Sequence, residues 1–323
     1  MQPEAPCQDV CILIPAYNAE ATLAETLRSI QEQDGGLDRV EAVYLADDAS
    51  LDRTVDVAKD AWKSSVRLEI LRNQENQGER RTVNAAVGQF PGGVRWFFIL
   101  HADDIAKPNW LATMLRVQDA ASNEIASVTA SYDVLNSDGT VSPGENRGED
   151  QLVLIEGQRE SITETLLRGC WWKVSSCSIR VDTFLQLDGF APDMPQLGDL
   201  DFVIRLLQKG SSILYIPLCL SIYRQTDQSV SSASFRVHRD VREWLRVLGC
   251  YAGYLTPDQW RTRHFFLAKT LVRRAGGGIL RLQWFRAAGA VGLLQPVIRS
   301  ATAHHRLISS QLGSGRGTDT IVR

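Results

Sequence analysis

The stretch Val10-Cys11-Ile12-Leu13-Ile14-Pro15-Ala16-Tyr17-Asn18-Ala19-Glu20-Ala21-Thr22-Leu23-Ala24-Glu25-Thr26-Leu27-Arg28-Ser29-Ile30-Gln31 decides the fold class. Val10 to Pro15 is a short uncharged apolar run rich in β-branched residues, the pattern of a strand covered on both faces. Thr22 to Gln31 then places Leu23, Leu27 and Ile30 at helical spacing. The same alternation recurs downstream. Val40 to Ala46 and Val66 to Leu71 read as strands, Thr54 to Trp62 and Thr82 to Phe90 as helices, and Val94 to Leu100 as a fourth buried strand. This rhythm predicts a doubly wound α/β sheet.

Beyond Asp104 the alternation loosens. Asn109 to Ala121 reads as a helix, Ile125 to Val134 as a strand, residues 136–140 (NSDGT) as a turn and Ser142 to Gln151 as a surface loop. Val181 to Leu187, Asp199 to Gln208 and Ser211 to Tyr223 predict helix, helix and strand. From Phe235 onward only helices are expected, with breaks near Thr256-Pro257 and at Gly276-Gly277-Gly278. The expected organisation is a sheet-built domain over 1–230, a helical basic extension over 231–312 and a disordered tail over 313–323.

The 323 residues are 44% hydrophobic, 23% charged and 8% aromatic, which excludes wholesale disorder and a small disulfide scaffold. No run of about eighteen uncharged apolar residues predicts a transmembrane helix, and MQPEAPCQDV lacks a signal-peptide layout. The six Cys lack metal-pair spacing and read as reduced thiols of a cytoplasmic protein. The net charge of −3 conceals two blocks: residues 1–235 carry −14 and residues 236–323 carry +11. The acidic block argues against nucleic-acid binding. The basic block, with Trp244, Trp260, Phe265, Phe266, Trp284 and Phe285, suits either an anionic membrane surface or packing on the acidic body.

In open α/β sheets ligands sit beyond the carboxyl ends of the strands. After the first strand comes Pro15-Ala16-Tyr17-Asn18, after the second Asp47-Asp48-Ala49-Ser50, and after the fourth His101-Ala102-Asp103-Asp104. No GxGxxG follows the first strand and no Walker loop occurs, which disfavours a dinucleotide oxidoreductase or a P-loop NTPase. Asp47, Asp48, Asp103 and Asp104 are expected to converge on one sheet edge. Carboxylates massed this way repel one another unless a cation joins them, and Mg²⁺ or Mn²⁺ bridging to a diphosphate suits such oxygen ligands.

At these residues the chain resembles family 2 glycosyltransferases of the GT-A fold. ILIPAYNAEATLAETLRSI, LADDASLDRT, FILHADD and LGDLDFVIRLLQKG stand in that family's order, and the resemblance covers about residues 10–230. It implies an inverting, metal-dependent transfer of a sugar from a nucleotide-diphosphate donor, expected to be a UDP-sugar, to a glycan or lipid-linked acceptor. It implies that Pro15, Ala16 and Tyr17 meet the nucleotide base and that Asp48, beside Asp47, accepts a hydrogen bond from it. Asp103 and Asp104 would hold ribose and metal, Arg224 would contact phosphate, and Asp199 would be the catalytic base. The adjacent Trp171 and Trp172 fall where an acceptor sugar would stack.

Three positions depart from the family pattern. His101 replaces the first acid of DxDD and is expected to hydrogen-bond beside the metal rather than ligate it. Gly198 stands where a Glu often precedes the catalytic Asp, with Asp201 an alternative base. Tyr223-Arg224-Gln225-Thr226 lacks the His of YRxH. Arg80 and Arg81 offer a further phosphate contact or a solvated helix start. A nucleotidyltransferase and a non-catalytic nucleotide-sugar-binding scaffold are the rival readings, the first disfavoured because PAYNAEAT has no glycine-rich basic loop.

Overall fold

The computed structural model describes residues 8–144, 148–225, 235–280 and 283–304. In chain order the elements are β1 (Val10–Ala16), α1 (Leu23–Gln31), β2 (Val40–Asp47), α2 (Thr54–Ala61), β3 (Arg67–Arg72), α3 (Glu79–Val87), β4 (Trp96–Ile99), β5 (Ile105–Ala106) and α4 (Trp110–Asp119). They continue as β6 (Ile125–Leu135), β7 (Val141–Pro143), β8 (Val153–Ile155), α5 (Arg159–Arg168), β9 (Cys177–Arg180), α6 (Val181–Gln186), α7 (Gly198–Gln208) and β10 (Ser212–Arg224). The helices α8 (Arg239–Cys250), α9 (Pro257–Leu280) and α10 (Trp284–Ala301) close the chain.

The expected α/β sheet is present, and it is mixed. Its order is β3-β2-β1-β4-β9-β6-β10-β5, with β7 on β6 and β8 on β10. β1 pairs in parallel with β2 on one side and β4 on the other, so the chain order reverses at β1 and the carboxyl ends of β1, β2 and β4 share an edge. β9 inserts antiparallel between β4 and β6. It has only four residues, too few to show a period, which is why the sequence reading passed over it.

Alternation along β1 serves both faces. Ile12 and Ile14 join Leu23, Leu27, Phe98 and Trp110 in one layer. On the other face Phe97 meets Phe184, which packs edge-on with Phe190, and Phe202 and Trp172 complete that layer. Each large side chain removed from water here contributes about 1.5–3 kcal/mol.

Two helix boundaries differ from expectation. α3 starts at Glu79, three residues before Thr82, because Gly78 turns the chain at φ +88°. That shift puts Glu79 and Arg80 in the first turn. α9 runs through Gly276, Gly277 and Gly278 to Leu280: glycine weakens a helix by roughly 1 kcal/mol without ending it.

The chain divides into two compact units, Met1–Ser161 with Cys170–Thr226, and Ile162–Gly169 with Asp227–Arg323. The boundary expected at residue 230 and the tail over 313–323 lie outside the described residues. In the second unit Thr163 Oγ1 donates to Tyr254 O at 2.7 Å, so the end of α5 belongs with the late helices. No helix among the described residues is long and apolar enough to cross a membrane.

Candidate active site

The loops after β1 and β2 are laced together. Asn18 N donates to Ser50 Oγ (2.9 Å), Leu51 N to Asn18 Oδ1 (2.8 Å) and Ala19 N to Thr54 Oγ1 (2.7 Å). Asn18 and Ala49 take φ +51° and +60°; for Ala49, with no polar side chain to repay it locally, this is a strained position held by that lacing. Pro15 and Ala16 are buried in β1, while Tyr17 stands 48% exposed with a free ring face.

The two aspartates after β2 differ. Asp48 is saturated: Oδ1 accepts from Asn73 Nδ2 and Gln77 N, and Oδ2 from Gly78 N, each at 2.8 Å. It fixes the turn that launches α3. Asp47 is fully buried, with Oδ2 paired to Arg72 Nε at 3.2 Å and Oδ1 left without a hydrogen-bond partner.

Beyond β4 the structure gathers His101, Asp103 and Asp104, each offering a ligand atom within 4.8 Å of the others. Asp104 is fully buried. Its Oδ1 accepts from Arg224 N at 2.9 Å, while Oδ2 has no hydrogen-bond partner and lies 3.7 Å from His101 Nδ1. Burial and the adjacent Asp104 push the Asp103 carboxyl up to about 6. A divalent cation would reverse that shift, and an orphaned buried oxygen beside a second carboxylate and an imidazole is a donor set that suits one. His101, expected to hydrogen-bond beside the metal, turns Nδ1 toward Asp104 and Nε2 toward Glu79.

A chain of ion pairs runs inward from this cluster. His101 Nε2 lies 3.4 Å from Glu79 Oε1, and the same oxygen lies on Arg80, whose Nη1 is 3.3 Å from it. Burial opposes the imidazolium, but Glu79 and Asp104 outweigh it and raise His101 to about 10. Burial likewise opposes the Glu79 carboxylate, yet His101 and Arg80 bring it down to about 2. Lys173 adds to that pull, its Nζ resting 3.7 Å from the Tyr223 ring centre.

Arg80 leads to α7. Its guanidinium lies over the Phe190 ring, 4.9 Å from the centroid. Phe190 is pinned to α3 because Asn84 exchanges hydrogen bonds with its backbone N (2.9 Å) and O (2.8 Å). Gly189, at φ +64°, is required there, since a Cβ would come 2.4 Å from Asn84 Oδ1. A Cβ on Gly198 would stand 3.2 Å from Arg80 Nε, so α3 and the start of α7, where Asp199 follows Gly198, meet closely here. Burial and the Asp199 carboxylate both raise the Cys177 thiol, so the carboxylate faces β9.

The structure separates several expected site residues. Asp201 is bound by Arg205 Nε at 2.7 Å, which ties it to the fold and leaves Asp199 as the half-exposed acid of this turn. Trp172 is 1% exposed, donates Nε1 to Ser127 Oγ and packs on Phe190 and Phe202, so it presents no face to a sugar; this corrects its place beside Trp171 as an acceptor residue. Trp171 is half-buried, edge-on to Tyr215. Arg224 is held on protein atoms, its Nε on Asp103 O (3.0 Å) and its Nη2 on Glu25, so it braces the acidic pair. Arg80 is buried and Arg81 exposed. No sequence motif singles out Glu79 or Lys173, which the fold brings to this cluster.

Residues 11–167 match the family model described as Glycosyl transferase family 2. The chain carries a family 2 glycosyltransferase domain. It is 28% identical over 256 residues to an uncharacterized Mycobacterium tuberculosis protein, covering 77% of this chain and 76% of that one. It is 28% identical to the Escherichia coli UDP-Glc:alpha-D-GlcNAc-diphosphoundecaprenol beta-1,3-glucosyltransferase WfgD, covering 74% of this chain and 85% of that enzyme. The crystal structure of Staphylococcus aureus TarS in complex with UDP-GlcNAc superposes with a TM-score of 0.65 at 15% identity, covering 95% of this chain and 92% of that one. This glycosyltransferase thus shares its fold with TarS.

Proposed function

We propose that this glycosyltransferase moves a sugar from a UDP-sugar to a hydroxyl of a glycan or lipid-linked acceptor, with inversion, in surface polysaccharide synthesis. The observation that carries the reading is the ion-pair chain from Asp104 through His101 and Glu79 to Arg80, which stands against Gly198 at the start of α7; on this reading the acidic pair and Asp199 act at two ends of one site. Asp103 and Asp104 would hold Mg²⁺ or Mn²⁺, with His101 hydrogen-bonded beside them, and the ion would offset the charge growing on the leaving diphosphate. Asp199 accepts the proton of the acceptor hydroxyl as its oxygen attacks the anomeric carbon opposite the diphosphate. Tyr17, 48% exposed after β1, would meet the base, and Trp171 would stack on an acceptor sugar. WfgD's named acceptor, a lipid diphosphate, supports the lipid-linked class.

The second unit supports an anionic membrane as partner, within the 236–312 segment singled out by charge. Arg261, Phe265, Phe266, Lys269, Val272 and Arg273 are exposed along α9, an apolar and basic stretch in which Asp258, paired to Arg261 Nη1 at 3.3 Å, is the acid of the first turn. Such a face suits peripheral binding at the inner membrane surface.

Thermal unfolding with UDP, GDP, dTDP or CDP, each with Mn²⁺, Mg²⁺ or EDTA, tests the donor reading. A nucleotide at a hundred times its Kd stabilises by about 2.7 kcal/mol. Stabilisation by UDP that vanishes in EDTA is the expected result. A response to none of the nucleotides overturns the reading.

A further inference from the structure

Arg80 is 7% exposed, and no nitrogen of its guanidinium makes a hydrogen bond within the described residues. Nε and Nη1 are fully buried without an acceptor. Its one ion contact, Glu79 Oε1 at 3.3 Å, is shared with His101. The Phe190 ring beneath it offers a π face but no oxygen. A buried donor left unmatched costs about 1–3 kcal/mol, more when charged. The chain therefore supplies a cation whose single ion contact, Glu79, it shares with His101, and leaves Nε without an acceptor.

The place of this cation is informative. A Cβ on Gly198 would lie 3.2 Å from Arg80 Nε and 3.6 Å from its Cδ. Arg80 thus borders the space into which a side chain preceding Asp199 would project. The Glu common at that position of the family would bring a carboxylate there. This chain removes the acid and sets a guanidinium against the gap. The first turn of α7, an eleven-residue helix, adds positive potential at the same point. Arg80 is on the Asp199 side of the ion-pair chain, whereas a metal-bound diphosphate belongs at the Asp103–Asp104 end, so the group it meets belongs to the sugar.

We infer that Arg80 and the first turn of α7 form a subsite for a carboxylate on the transferring sugar, which makes the donor a nucleotide-diphospho-hexuronic acid. The inference rests on the glycosyltransferase reading of the site. A planar guanidinium matches a carboxylate in charge and geometry better than it matches neutral hydroxyls.

Titration calorimetry on the full chain with Mn²⁺ compares UDP, UDP-glucose, UDP-glucuronate and UDP-galacturonate. One acidic donor is expected to bind at least about ten-fold tighter than its neutral counterpart, the worth of one hydrogen bond to a charged group. Arg80→Gln abolishes that preference, so that the acidic and neutral donors bind alike. Gly198→Glu, which restores the family's acid, shifts the preference toward neutral donors and carries the test should Arg80→Gln not fold. Equal or tighter binding of neutral donors by the unaltered chain overturns the inference. So does an Arg80→Gln variant that weakens UDP itself, which would make Arg80 a phosphate ligand. A variant that slows transfer from every donor alike also overturns it, making Arg80 a positioning residue for Asp199. Failure of UDP to bind the unaltered chain defeats the donor reading and this inference with it.

Discussion

The two ends of one sheet treat buried carboxylates in opposite ways. At the amino end Asp9, 1% exposed, is enclosed by arginines: Arg39 donates Nε and Nη2 to Oδ1 at 3.0 and 2.9 Å, and Arg95 donates Nε to Oδ2 at 2.8 Å. At the carboxyl end Asp104 is equally buried, yet Oδ2 has no hydrogen-bond partner, and Asp47 Oδ1 and two Arg80 nitrogens share that condition. Burial without pairing costs free energy, so a fold tolerates it where something from outside completes the set. The paired end is completed within the chain, and on the proposed function the open end is completed by ligands.

The sharpest way to break that contrast is at Asp199. Asp199→Asn keeps the size and removes the base, so transfer should fall about 10³-fold, within the usual range for a general base. Nucleotide binding with metal should persist. Radiolabelled sugar transfer measured beside UDP titration checks both halves, and retained transfer would show that the open end lacks its base.

A crossed pair of variants comes next. Asp9→Asn leaves two arginines around a neutral group and should lower stability by about 3 kcal/mol while kcat is unchanged. Asp104→Asn should leave the unfolding free energy of the metal-free protein level or higher, by up to about 1 kcal/mol. It should also weaken Mn²⁺-dependent UDP binding by at least about ten-fold. Urea unfolding and calorimetry on both proteins decide; the same pattern in both would erase the distinction between the ends.

Much of this was legible in the sequence because β1, β2 and β4 are continuous apolar runs that end in polar motifs, and strand ends are where parallel sheets bind. Asp103 and Asp104 were therefore placed beyond a strand end without coordinates, whereas Asp199, in the first turn of α7, came only from the family resemblance. The hydrogen-bond state of each carboxylate was not legible. Asp48 and Asp47 are adjacent, yet one is saturated by the Gln77-Gly78 turn and the other is not, a difference made by residues thirty positions away. Trp171 and Trp172 show the same limit. Successive residues face opposite ways, and only the aromatic layer of Phe190 and Phe202 decides which ring is core. Arg80 was expected as a phosphate contact or a solvated helix start; its burial was not legible, because Gly78 at positive φ starts α3 three residues early and sets Arg80 over Phe190.

The contrast between completed and open groups extends to the second unit, where α9 has two sides. One side buries Trp260, His264, Leu267 and Leu271, with His264 Nδ1 on Trp260 O and Nε2 on Ser300 Oγ, both at 2.8 Å. The other exposes Phe265 and Phe266 at 65% and 52%, flanked by Arg261, Lys269 and Arg273. If anionic lipid completes that side, each cation contributes about 1 kcal/mol, so Lys269→Glu with Arg273→Glu should weaken vesicle binding at least about thirty-fold. The loss should be largest at low salt, because screening over about 10 Å already blunts the attraction in 0.1 M salt. Replacing Phe265 and Phe266 with Ser should weaken binding at every salt concentration, since apolar insertion is not screened. Co-sedimentation with phosphatidylglycerol vesicles, with neutral phosphatidylcholine vesicles as control, separates the two contributions. Equal binding to both lipids would leave the apolar residues as the sole contact, and binding to neither would leave the basic face without a membrane role.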